Sequence, residues 1–189
     1  HHKFSNFLLR DKIKKKEFLM VDKIIIFSGK QYSGKDTAAK IMLNKMPTFK
    51  RCAMGDIIKL TYGEKMSLTL EEIEKNKAQY RPDLIELGNW GRAQDPDYWL
   101  KKIIEQDGNI IVTDVRVPHE YEVFKNAGAI TIRVEATRET RSQRGTLVGE
   151  KDITEVGLDN ITDWDFVIDN NSDYEHLKEQ VLKIIKKIK

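Results

Sequence analysis

Two rhythms of apolar residues alternate along this chain. The continuous apolar run over 24–27 and the segment 109–113 read as buried strands, and 129–134 as the strand that follows. Between them lie longer stretches with apolar residues at helical spacing. The first, over 36–46, offers Ala38, Ala39, Ile41, Met42 and Met46 to a core and stops at Pro47. A second strand is expected over 49–54, then Gly55 and a short helix carrying Ile57, Ile58 and Leu60. Thr69 with Glu72 forms a capping box that starts a further helix, interrupted at Arg81-Pro82 and resuming to about 93. Asp95-Pro96 reads as a helix start, and Tyr98, Trp99, Leu100, Ile103 and Ile104 follow it to Gly108. After the 109–113 strand, Pro118 opens a helix that closes at Gly128. Residues 137–144 read as helix, 145–163 as a mobile flap of weak periodicity, and 164–168 as a last strand. Ser172 and Glu175 suggest another capping box, opening a helix with Leu177, Val181, Ile184, Ile185 and Ile188 on its inner face. Strand and helix alternate throughout. That order predicts an α/β fold, a parallel sheet with helices on both faces and ligands at the carboxyl ends of its strands.

Composition narrows this only a little. The 189 residues suit one domain with a sizeable core, and 33% charged against 40% hydrophobic describes a globular chain. The net charge of +3 is too small to argue for a nucleic-acid partner, and its positive excess sits near the N-terminus, in Arg10, Lys12, Lys14, Lys15 and Lys16. No apolar run reaches the ~20 residues of a membrane span, and the single cysteine, Cys52, fits a reducing cytoplasm. His1 and His2 read as the end of a tag, so residues 1–19 are expected to be tag or flexible extension and 20–189 one domain.

The chemistry begins where the first strand ends. Gly29 to Lys35 fits G-x-x-x-x-G-K, a turn whose N–H groups converge on phosphate and whose helix adds its positive N-terminal end. Gly29, Lys30, Ser33, Gly34, Lys35, Asp36 and Thr37 are therefore the expected nucleotide-binding residues. Asp36 stands where Ser or Thr usually meets magnesium, and could reach the metal through water or cap the helix. Asp114, closing the 109–113 strand, is the second candidate for Mg²⁺; its other reading is a helix cap. Arg81, Arg92 and Arg116, with Arg138, Arg141 and Arg144 repeating every three residues, suit a reaction that gathers phosphate charge. His119 and His176 lack a metal or catalytic partner pattern, and Trp90, Trp99 and Trp164 read as packing anchors.

From about residue 20 onward the chain resembles small P-loop kinases of the nucleoside monophosphate kinase type. SGKD at 33–36 is shared by two branches. LGNWGRAQDPDYW (87–99), TDVRVPHEYE (113–122) and DITEVGL (152–158) resemble the phage-type deoxynucleoside monophosphate kinases. RAQDP (92–96), TRETRSQRG (137–145) and GLDNITDWDFVIDN (157–170) resemble the animal-type phosphomevalonate kinases. Gln31 and Tyr32 replace two basic residues of the latter, Val117 replaces an arginine, and the flap is shorter. The resemblance implies acceptor-binding helices over about 55–107, a lid over about 138–163, and ATP with Mg²⁺ as donor. Lys59, Arg81, Arg92 and Arg116 would hold the acceptor phosphate. Arg138, Arg141 and Arg144 would belong to the lid, and Lys35, Arg116, Arg141 and Arg144 would be the catalytic set. The expected acceptor is a small phosphorylated molecule, most directly a (deoxy)nucleoside monophosphate, with phosphomevalonate as the alternative. A nucleotide-binding regulator without transfer activity is a third reading. A cytoplasmic monomer or homodimer, without membrane or nucleic-acid partner, completes the expectation.

Overall fold

The computed structural model describes residues 23–188; the expected tag or extension over 1–19 lies outside them. Five strands form one parallel sheet: β1 (Ile24–Ser28), β2 (Phe49–Cys52), β3 (Asn109–Val112), β4 (Ile130–Glu135) and β5 (Phe166–Asp169). Their order is β2-β3-β1-β4-β5, with β1 at the centre. The register pairs Ile25 with Ile111 on one side and with Ile130 on the other. Every strand carboxyl end therefore opens on one edge, and the crevice lies where the order reverses about β1.

Nine helices lie among the described residues. They are α1 (Lys35–Lys45), α2 (Asp56–Met66), α3 (Leu70–Lys75), α4 (Lys77–Gln94), α5 (Tyr98–Ile104), α6 (Pro118–Asn126), α7 (Arg138–Arg144), α8 (Ile153–Val156) and α9 (Tyr174–Ile188). The β1 side chains alternate between two cores. Ile25 and Phe27 join α1 and α9 through Met42, Leu177 and Val181; Ile26 joins α2, α5 and α6 through Ile57, Ile103 and Phe124. Helices thus cover both faces, as the apolar runs predict.

The structure moves three boundaries. Pro82 does not break a helix but lies within α4; the break is at Asn76, whose side-chain amide donates to Glu72 O at 3.1 Å. Proline removes only its own donor, here early in the helix, whereas Asn76 supplies an alternative partner for a helix-end carbonyl. Asp95 accepts the Asp97 N–H at 2.9 Å in an Asx turn, so α5 starts later than its Asp-Pro signal suggests. The last helix is capped by Asp173, which accepts the His176 N–H at 2.9 Å, in place of the expected Ser172. The Thr69–Glu72 capping box forms as expected. Trp99 is buried, but Trp90 is 48% exposed and anchors no core.

Candidate active site

The turn between β1 and α1 is built as its sequence requires. Gly34 takes a left-handed backbone, φ 95°, and a Cβ there would strike the Asn170 side chain. Asn170 itself donates to Ser33 O at 2.7 Å, tying the turn to the end of β5. Tyr32 also takes left-handed backbone, φ 58°, which is unusual for a bulky residue and marks the turn as held from outside. The Ser33 hydroxyl is buried without a partner.

Around this turn lies a cleft of about 450 Å³, lined by residues 29–37 together with Arg116, Arg144, Thr154 and Glu155. All seven expected nucleotide-binding residues are among them. Burial lowers the pKa of Lys35, and the Asp36 and Asp114 carboxylates oppose that shift. The guanidinium groups of Arg116 and Arg51 lower it further. Burial also raises the pKa of Asp114, against the Met54 N–H and the charges of Lys35 and Arg116. Two carboxylates therefore bracket the lysine. Arg51, on β2, carried no motif and is recognisable only through the strand order.

The expected arginines divide among three places. Arg116 and Arg144 line the cleft of the turn. Arg144 donates to Tyr32 O at 3.1 Å and to Asn170 O at 2.6 Å, which holds α7 against the turn. Arg138 and Arg141 line an adjoining cavity of about 530 Å³. Arg141 is buried, donating to Ala136 O and Gln31 O and facing Glu155 at 3.7 Å; Arg138 instead forks outward onto Glu150. Lys59, Arg81 and Arg92 meet in a third pocket of about 280 Å³ between α2 and α4, joined there by Lys77. Its floor is aliphatic, from Ile58, Leu84 and Ile85. Lys59 is paired with Glu74 in this state, and Arg92 donates to Asn89 at 2.8 Å.

A family model described as "Phosphomevalonate kinase" matches residues 27–129, and one described as "Deoxynucleotide monophosphate kinase" matches residues 83–181. Each spans more than half of the chain. The chain belongs to the small-molecule P-loop kinases. Solved structures agree on the fold of this kinase. The shikimate kinase of Acinetobacter baumannii, in complex with shikimate, is 15% identical with a TM-score of 0.51, over 92% of this chain and 96% of that one. The shikimate kinase of Bacteroides thetaiotaomicron is 14% identical with a TM-score of 0.51, over 88% and 98%. At such identities the likeness is one of fold alone.

Two features of the kinase escaped the sequence. Arg133 is buried within β4, donating to Ser28 Oγ at 2.9 Å and facing Asp159 at 3.5 Å; burial lowers its pKa. A basic residue inside an apolar strand was its only signal. Glu155 enters the cleft from the flap; it lies in the DITEVGL segment, but the sequence assigns it no role there. No helix among the described residues is long and apolar enough to cross a membrane.

Proposed function

We propose that this kinase transfers the γ-phosphate of ATP to the phosphate group of a small acceptor, a (deoxy)nucleoside monophosphate in the first reading. The observation that carries this is the pair of cationic pockets on one sheet edge. The glycine-rich turn with Lys35 takes the donor phosphates, and the α2–α4 pocket presents Lys59, Lys77, Arg81 and Arg92 to an acceptor that is already anionic. Arg116 lines the turn's cleft and would offset charge as it develops during transfer; Arg144 and Arg141 tie α7 to the turn through Tyr32 O and Gln31 O.

Magnesium fits the residues present. No group of three or more potential ligands occurs among the described residues, but this ion is ordinarily held by one or two carboxylates and the substrate phosphates. Asp36 and Asp114, both close enough to act on the charge of Lys35, would hold it. There it would supply positive charge to offset the negative charge of the phosphate oxygens.

Phosphomevalonate is the second reading, favoured by the aliphatic floor of the α2–α4 pocket, where no aromatic ring is available to stack a base. The phosphomevalonate kinase match also spans both wings of that pocket, α2 and α4. A coupled ADP-release assay across nucleoside monophosphates, deoxynucleoside monophosphates and phosphomevalonate tests these readings. Turnover on a nucleotide supports the first and turnover on phosphomevalonate alone selects the second. No release with any acceptor overturns both and leaves a nucleotide-binding regulator. Lys35→Ala serves as the control, with a loss on the order of a hundredfold or more.

A further inference from the structure

The flap residue Glu155 occupies the cleft meant for phosphate. Its Oε1 accepts the backbone N–H of Gln31 at 2.8 Å, and Gln31 belongs to the turn whose N–H groups gather anions. The side chain is 10% exposed and lies 3.7 Å from the guanidinium of Arg141, which is itself buried. Both donors are groups that a polyphosphate would claim.

The rest of the flap is fastened to the same three turn residues. Lys30 donates to Asp159 at 2.9 Å. The side-chain amide of Gln31 both donates to and accepts from the Val148 backbone. The ring of Tyr32 lies against Gly145, where a Cβ would overlap it. These are three of the four variable positions of the motif, and all three hold the flap down. A carboxylate fixed in this way and a nucleotide polyphosphate cannot share the cleft, because like charges a few ångströms apart in a partly buried site repel strongly.

We propose that Glu155 is an internal occupant of the phosphate cleft, holding the Gln31 N–H and Arg141 until a nucleotide phosphate takes its place. The exchange hands both donors to the nucleotide without making or breaking a covalent bond. Binding and flap release are then linked, and closure of the flap by Glu155 and binding of the nucleotide each weaken the other by the same factor. The inference rests on the reading of the 29–37 turn as the ATP site, and its test separates the two.

The measurement is calorimetric titration of ATP into the full chain, as wild type, Glu155→Gln and Glu155→Ala. Glutamine keeps the acceptor oxygen and the shape but loses the charge, so Glu155→Gln should bind ATP on the order of tenfold more tightly. Glu155→Ala should gain at least as much. Equal or weaker binding by Glu155→Gln overturns the proposal and makes the residue a support for Arg141. A wild type that does not bind ATP overturns the reading of the turn instead. Hydrogen exchange at the Gln31 amide of ligand-free wild type gives a second, independent test even if the variants fail to fold. Slow exchange supports the contact, and exchange at the rate of an open loop overturns it.

Discussion

Asp114 holds the backbone N–H of Met54 with both carboxylate oxygens, at 2.8 and 3.0 Å. The strand-end acid expected to serve the metal thus also anchors the chain just before α2, which forms one wall of the α2–α4 pocket proposed for the acceptor. One residue joins the two halves of the site.

Asp114→Asn separates these duties. Asparagine still accepts the Met54 N–H but brings no negative charge to a metal, so transfer should fall by on the order of a hundredfold or more while α2 keeps its place. Stability should move the other way. Burial raises the pKa of Asp114, so the folded state binds its proton more tightly than the unfolded chain does. The stability linked to that proton is fully present below the ordinary carboxylate range and is lost as pH rises through the raised pKa. Near neutral pH, Asp114→Asn should therefore melt no lower than wild type, and the gap should close on acidification. Thermal melts from pH 4 to 8 check this; a lower melting temperature at pH 7 would show that the charge itself holds the fold.

Gly91→Ala tests how α4 is seated. In an open helix alanine is favoured over glycine by about 1 kcal/mol. Here a Cβ would come within 2.6 Å of the Trp99 ring, whose Nε1 donates to Gly88 O at 3.0 Å. Overpacking of that kind costs about 1–3 kcal/mol, so net destabilisation is expected. Because α4 carries Arg81 and Arg92, the acceptor KM should rise while the KM for ATP holds. Melts and steady-state kinetics together decide it.

Arg81 and Arg116 should fail differently. Arg81 lines the α2–α4 pocket, whereas Arg116 lines the cleft of the turn. Arg81→Ala should raise the acceptor KM about tenfold or more with kcat little changed, the mark of binding made equally in ground and transition states. Arg116→Ala should lower kcat as well, since its charge lies beside Lys35 and Asp114. Identical profiles for the two variants would refute this division.

How much of this was legible follows from which interactions are local. The strand-turn-helix from Ile24 to Lys45 could be read because each residue's role is set by its neighbours: an apolar run, glycines, then a lysine at a helix start. The Thr69–Glu72 box likewise closes within one turn. Pro82 misled because a proline's cost depends on which carbonyl it orphans, and Asn76 offered the better break. Of the four cations the resemblance assigns to the acceptor, Lys59, Arg81 and Arg92 share one pocket and Arg116 lies in the cleft of the turn, while Lys77 joins the three only through the packing of α2 on α4. Arg51, Arg133 and Glu155 act across strands or from the flap, over separations that no spacing in the sequence encodes.

The central claim is that phosphate is added to phosphate, and ³¹P nuclear magnetic resonance of the reaction reports that bond directly. With ATP, Mg²⁺ and the acceptor that turns over, the account predicts, beside the signals of ADP, a second phosphoanhydride: two coupled doublets from the product's adjacent phosphorus atoms, growing as the acceptor's monophosphate singlet fades. ADP with inorganic phosphate and an unchanged acceptor singlet, or a second phosphate monoester without phosphorus–phosphorus coupling, would contradict it.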